Sequence, residues 1–229
     1  MEQPKLSTMV VLYNLNIKVD TTRLLDDIPI NETIIKIEKR GMKKRGESSR
    51  DKIKRRSVKE EKTKTGFGHN SITVVLLNDG DGQLPLKEIT VKIFQNGVFH
   101  MTGVLDERYD TSTLNTLMDA IWKTDCITER PEEWKIVRRR VVLMNYTTDL
   151  KHTVPRETLC RSIRSEYPNI IVAYDPDVYP GVKIQFETKK IAKVFRTGKI
   201  ILTGVTSHSD CLSLVEELNE VFKKTLYNK

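Results

Sequence analysis

Cysteines, aromatic residues and long apolar runs are all scarce in this chain, and each scarcity removes a class of explanation. Only three cysteines occur (Cys126, Cys160 and Cys211), and they lack the paired spacing of a zinc site or a disulfide framework. A reducing, intracellular setting is the plain expectation. No apolar stretch approaches the roughly 20 residues of a membrane-spanning helix, and the N-terminus lacks a signal-peptide profile, so no membrane partner is expected. No glycine-rich phosphate loop, Ser/His/Asp set or cluster of metal-binding carboxylates is present. The four histidines, His69, His100, His152 and His208, show no ligand spacing. The expectation is a binding protein rather than an enzyme, with no cofactor and no metal.

Positive charge is abundant, and it is concentrated. The net charge is +8, yet between Lys36 and Lys64 there are 14 Lys/Arg against 5 Asp/Glu, which leaves the rest of the chain close to neutral. Gly41–Gly66 is almost devoid of apolar residues and reads as a mobile loop or arm. It is either a solvated insertion or a device for phosphate contact or nuclear import, the latter centred on Lys52–Arg56.

A repeat decides the architecture. Lys92–Val104 reads KIFQNGVFHMTGV, and Lys193–Val205 reads KVFRTGKIILTGV, at an offset of 101 residues. Each copy is a strand, a tight turn at Gly97 or Gly198, and a second strand. A helix pattern follows each: Leu114, Leu117, Met118 and Ile121 behind Asp110 and Thr111, then Leu214, Val215, Leu218 and Phe222 behind Ser209 and Asp210. Upstream, Val10–Asn14 resembles Val141–Asn145, and short helices are predicted from Asp20 and from Pro155. Each half reads strand, helix, several strands, helix. The links are too short for crossovers, so the class is α+β with antiparallel pairing. The halves are expected at 1–126, with a basic insertion at about 39–66, and at 127–229.

Strand alternation separates two faces. Phe99 and Met101 oppose His100 and Thr102; Ile200 and Leu202 oppose Ile201 and Thr203. The first set of each is the core side. The other face mixes apolar and hydroxyl groups, and an uncovered sheet face of that kind suggests a binding surface.

The element F-x-x-G-x-x-x-x-T-G at Phe94 and Phe195 resembles the duplicated strand pair of TATA-box-binding proteins. Tyr174–Gly181 (YDPDVYPG) is similar to the family's Y-E-P-E-L-F-P-G stirrup, and Lys199–Gly204 follows its K-hydrophobic-V-L-T-G strand. The resemblance spans Met9–Trp122 loosely and Lys135–Leu226 more closely, and it extends to the divergent members encoded by large DNA viruses. It implies a saddle: one curved antiparallel sheet of about ten strands with four helices on the convex face, in two pseudo-symmetric halves. It also implies a transcription initiation factor that binds and bends the minor groove of double-stranded DNA, an activity for which this family is a standard case. The setting implied is a host nucleus or a cytoplasmic viral factory.

Carried over by position, the aromatic wedges fall on Phe94 and Phe195, with partners at Tyr179 and Phe67. A wedge must be flat and apolar, because unstacking a base step costs on the order of a few kcal/mol. The DNA-contacting positions implied are Thr8, Val10, Lys92, His100, Thr102, Asn145, Lys193, Lys199, Ile201 and Thr203. His100 stands where the family places a small aliphatic contact, Lys92 and Lys193 where it has leucine, and Thr8 where the first half has asparagine. Asp175 and Asp177 match the acids that engage a transcription factor IIB-like partner; the alternative on residue chemistry alone is that Asp-Pro-Asp is simply a turn. Two pseudo-equivalent halves make a monomer sufficient. The lysine replacements and the basic insertion keep open an alternative: a non-specific architectural DNA-binding protein or a protein-docking scaffold on the same fold.

Overall fold

The computed structural model describes residues 1–52 and 70–227. In chain order it builds β1 (Lys5–Leu15), β2 (Lys18–Val19), α1 (Thr21–Asp27), β3 (Ile34–Glu38), β4 (Lys44–Gly46), a 3-10 turn (Ser49–Lys52), β5 (Ser71–Asn78), β6 (Lys87–Phe94), β7 (Val98–Val104), α2 (Glu107–Ile121) and β8 (Ile127–Glu129). There follow β9 (Ile136–Asp149), α3 (Arg156–Glu166), β10 (Ile171–Asp175), β11 (Tyr179–Gln185), β12 (Ile191–Phe195), β13 (Lys199–Val205), α4 (His208–Phe222) and a closing π-type turn (Lys223–Tyr227). Eleven strands form one open sheet in the order β10-β11-β12-β13-β9-β1-β7-β6-β5-β3-β4, and β2 pairs separately with β8. The pairs from β10 to β9 are antiparallel, as are those from β7 to β4.

Two compact units divide the chain: Val10–Arg140, and Met1–Met9 with Val141–Lys229. The first nine residues belong with the C-terminal unit for local reasons. The Glu2 amide donates to the Asp149 carbonyl at 2.9 Å, the Thr148 hydroxyl donates to the Glu2 carbonyl at 2.6 Å, and Leu6 packs on that unit's core.

In the N-terminal unit, β5, β6 and β7 bury the side that α1 and α2 cover. Ile72, Val74, Ile89, Val91, Phe99 and Met101 are closed to solvent there, as are Leu24 and Leu25 of α1 and Leu117 and Met118 of α2. In the C-terminal unit, Val182, Ile184, Val194, Ile200 and Leu202 meet Leu159 and Ile163 of α3 and Leu214, Leu218 and Phe222 of α4. Truncating one such leucine to alanine costs about 2–5 kcal/mol. The alternation expected at Phe99/His100 and at Leu202/Ile201 is the one observed.

The repeated glycine has a stated cause. Gly97 has φ +77° and Gly198 φ +89°, the left-handed region that a side chain disfavours. A Cβ at Gly97 would stand 2.2 Å from the Ile17 carbonyl oxygen, and one at Gly198 2.3 Å from that of His152. Both turns are braced alike by the preceding loop. The Leu15 and Leu150 amides donate to the Gly97 and Gly198 carbonyls, both at 3.0 Å, and the Val19 and Val154 amides donate to the Gln95 and Arg196 carbonyls, both at 2.9 Å.

Two local expectations are corrected. Asp110 and Thr111 do not cap α2: Asp106 does, its carboxylate accepting from the Arg108 amide at 3.0 Å. Ser207, at the matching position, caps α4 by accepting from the Asp210 amide at 3.0 Å. Asp110 is instead fully buried, where it accepts from the Tyr13 hydroxyl at 2.9 Å and from Arg139 Nε at 2.8 Å. That ion pair is long-range, so helical spacing cannot signal it.

The second correction concerns the basic insertion, whose described part, up to Lys52, is not a loose arm. Residues 44–46 form β4, the eleventh strand, against β3. Arg45 donates to the Leu25, Asp26 and Ile28 carbonyls at 2.8–2.9 Å and so satisfies the open end of α1. Lys36 is buried and reaches Glu38 at 2.6 Å and Asp51 at 2.9 Å, while Lys39 donates to the Thr21 and Thr22 hydroxyls. Of the basic residues counted between Lys36 and Lys64, Lys36, Lys39 and Arg45 are thus engaged inside the unit.

Candidate functional site

The open face of the C-terminal unit is built by strand alternation on β11, β12 and β13. Tyr179, Gly181 and Lys183 point outward on β11; Ile191, Lys193 and Phe195 on β12; Lys199, Ile201 and Thr203 on β13. Register brings them together: Gly181 lies opposite Phe195, Lys183 opposite Lys193, and Lys193 opposite Ile201. Tyr179 and Phe195, distant in sequence, therefore stand with ring centroids 5.8 Å apart and tilted by 57°. Gly181 makes this possible. A Cβ there would stand 3.0 Å from the Tyr179 ring and 3.3 Å from the Phe195 ring. Lys193 lies over the Tyr179 ring, with Nζ 5.4 Å from its centroid, a favourable cation–π position. A groove of about 610 Å³ borders Phe195 and is lined by Lys5, Thr147, Arg196, Lys199 and Ile201, among others. Both aromatic rings are half-buried, so each offers a face and keeps a fixed seat.

At the end of this face, residues 175–179 form the tight connection of β10 to β11. The Asp177 amide donates to the Asp175 carboxylate at 3.1 Å, and the Val178 amide to the Asp175 carbonyl at 3.2 Å. Asp175 thus performs the turn chemistry, while both acids stay exposed and Val178 is 80% exposed beside them. Arg156, at the start of α3, braces the far side by donating to the Pro180 carbonyl and lying 5.0 Å from the Tyr174 ring centroid.

The N-terminal unit repeats the register with different side chains. Lys92 lies opposite His100, Thr90 opposite Thr102, and Ser71 opposite Phe94. Lys92 is exposed, whereas Phe94, His100 and Thr102 are half-buried. Ser71 holds the place that Gly181 holds in the other unit. The residue two places before Gly181 is Tyr179; the same offset from Ser71 falls on His69 rather than on Phe67, and both lie outside the described residues. Burial, together with the charge of Lys92, holds the His100 imidazole below its ordinary pKa, so the ring is neutral at physiological pH.

The insertion also reaches this face. The Ser49 amide and hydroxyl donate to the two carboxylate oxygens of Glu88 at 2.7 and 2.8 Å, and Glu88 lies on the open side of β6. Val75 and Lys36, on the same side of β5 and β3, are buried. The strap at Ser48–Lys52 therefore occupies one end of a face that is bare in the C-terminal unit.

Three expected contacts lie on β1 and β9. Thr8 is half-buried, and Val10, 8% exposed, offers the least surface of the set. Asn145 is half-buried, and its side-chain oxygen is buried without a hydrogen-bond partner among the described residues. Sequence reasoning missed Gly181, Lys183, Arg156 and the Ser49–Glu88 contact. Alternation counted from Tyr179 would have found the first two; the others are long-range.

Comparison with known proteins bears on the C-terminal unit and on the fold. Residues 145–225 match the sequence model of the family described as transcription factor TFIID, or TATA-binding protein. A TATA-box-binding protein of Sulfolobus acidocaldarius is 33% identical over 79 residues, covering 34% of this chain and 37% of that protein. One from Sulfurisphaera tokodaii is 32% identical over 54 residues, covering 23% and 27%. The matched stretch thus spans well under half the length of these curated relatives. The solved structure of Methanococcus jannaschii TBP superposes on 97% of the chain with a TM-score of 0.62 at 13% identity, covering 99% of its own length. That is a likeness of fold.

Proposed function

We propose that this chain, whose residues 145–225 match the TATA-box-binding-protein family, is a DNA-binding transcription initiation factor that binds and bends the minor groove of promoter DNA. The observation that carries the reading is the Tyr179–Phe195 ring pair, seated across Gly181 on an open sheet face among Lys183, Lys193 and Lys199. The ring pair supplies a rigid apolar wedge, and the lysines supply phosphate neutralisation, which dominates affinity and makes it salt-dependent. Phe94 occupies the matching place in the N-terminal unit. Thr203, Ile201 and Thr102 read the groove floor, where base identity is displayed only coarsely. Thr8, Val10, Asn145 and His100 complete the contact set, and the exposed acids Asp175 and Asp177 recruit a transcription factor IIB-like protein. A monomer carries out this work.

The test is binding and bending of an A·T-rich against a G·C-rich duplex, with competitor DNA at physiological salt. We expect tighter binding and a bend on the A·T-rich duplex, with the bend lost in Phe195→Ala. Equal bending by Phe195→Ala and the unmodified protein would overturn the wedge. Charge reversal at Asp175 and Asp177 is expected to abolish the ternary complex with a IIB-like factor while leaving DNA binding in place.

A further inference from the structure

The repeated hairpins, β6–β7 and β12–β13, correspond residue for residue at the 101-residue offset, and on their open faces two neighbouring positions exchange isoleucine for a polar residue. Ile191 and Ile201 of the C-terminal unit correspond to Thr90 and His100 of the N-terminal unit. Register fixes the correspondence, because Ile191 pairs with Thr203 as Thr90 pairs with Thr102, and Lys193 pairs with Ile201 as Lys92 pairs with His100. Thr90 Oγ1 and His100 Nδ1 are both buried without a hydrogen-bond partner among the described residues. Folded proteins seldom retain such groups without a use for them.

The minor groove presents acceptors at A·T pairs, and G·C pairs add the guanine amino donor. An aliphatic side chain such as Ile201 can meet an A·T floor but leaves a guanine amino group without a partner and crowds it. A neutral imidazole behaves differently. Its tautomer is set by the hydrogen bond that the inner nitrogen makes, and His100 Nδ1 has no partner of good hydrogen-bond geometry among the described residues, only an interaction of the ring with the residue's own backbone. The outer nitrogen, Nε2, is then free to arrive as a donor to adenine N3 or thymine O2, or as an acceptor from the guanine amino group.

Resting on the DNA-binding reading above, we propose that His100 is a specificity-determining residue: it makes the N-terminal unit indifferent to A·T or G·C pairs, whereas Ile201 confines the C-terminal unit to A·T. The protein reads a site that is restrictive on one side and permissive on the other.

Three duplexes test this: an uninterrupted A·T tract, one with G·C pairs on one side, and one with G·C pairs on both sides. A mismatched pair in a specific site costs roughly tenfold or more in affinity. The unmodified protein should bind the first two within about threefold of each other and the third on the order of tenfold more weakly. His100→Ile should widen the ratio of affinities between the uninterrupted and one-sided duplexes about tenfold, and Ile201→His should narrow the ratio between the uninterrupted and two-sided duplexes by a similar factor. Circular dichroism establishes that both variants fold. A one-sided penalty equal in the unmodified protein and His100→Ile overturns the role of His100 and leaves the DNA-binding reading standing. Failure to bind even the uninterrupted tract overturns both.

Discussion

The two units share their bracing and differ in their faces. Each holds its hairpin glycine at positive φ beneath the carbonyl of a preceding loop, with the same pair of amide hydrogen bonds. Each caps its long helix one residue before it begins, with Asp106 or Ser207. On the open side Lys92, Phe94 and Thr102 recur as Lys193, Phe195 and Thr203, and the positions between them differ. The C-terminal unit presents two isoleucines and a short acidic turn, whereas the N-terminal unit presents His100, Thr90 and a folded strap anchored on Glu88. Positions that close the backbone are chemically confined, because few residues tolerate a positive φ against a carbonyl. Positions that face a ligand are confined only by that ligand.

The comparison can be broken most severely at the glycines. Gly97→Ala and Gly198→Ala should each lose about 3 kcal/mol of unfolding free energy, from left-handed strain plus a backbone clash. Urea denaturation measures both, and losses differing by several-fold would mean that the bracing is not shared. Next is Asp51→Asn, which has no counterpart in the C-terminal unit. It strips a buried ammonium, Lys36, of one partner; because Asp51 keeps about a quarter of its side chain in solvent and Glu38 remains on Lys36, the loss should be about 2 kcal/mol. The hydrogen bond from Lys36, then the Ser48 amide, holds the Asp51 carboxyl well below the ordinary carboxylate range. Its stabilisation is therefore fully present above about pH 4 and is lost as pH falls further. Asp51→Asn should flatten that acid limb, and amide exchange over 44–52 should report it. Gly181→Ala is milder, about 1 kcal/mol, because ring edges can shift where a carbonyl cannot. Its signature is altered ring-current shifts of Tyr179 and Phe195 by NMR. The smallest effect belongs to His100→Gln. Burial and then Lys92 lower the folded-state pKa of His100, so the stability it contributes is lost as pH falls below about 6.5. The variant should flatten the thermal midpoint between pH 7 and pH 5, and an unchanged slope would place the proton elsewhere.

Much of the fold was legible because its signals are local. Alternation along Val98–Val104 and Lys199–Val205 assigned both faces, and the Gly97 and Gly198 turns stood out by repetition. Helix starts were legible at Asp20 but misread at Asp110, because a carboxylate ahead of an apolar run looks the same whether it caps a helix or meets Arg139 across the unit. The described part of the insertion, up to Lys52, was misread for a related reason. A count of lysines and arginines carries no information on the α1 carbonyls that take up Arg45, or on Asp51, which folds back on Lys36. Of the candidate site, the Tyr179–Phe195 pair was legible through the family resemblance that the repeat and the YDPDVYPG stretch carry. That they meet over Gly181 depends on a register that only the folded sheet supplies.

Strand β4 has a further consequence. Three residues long and bearing Lys44 and Arg45, it closes the outer margin of the sheet beyond β3. A long apolar margin would offer a row of unpaired amides and carbonyls to a second molecule, the usual route to strand-swapped polymers. Here the basic insertion supplies a brief, charged terminus in its place, a safeguard against fibrous self-assembly that does not depend on any ligand.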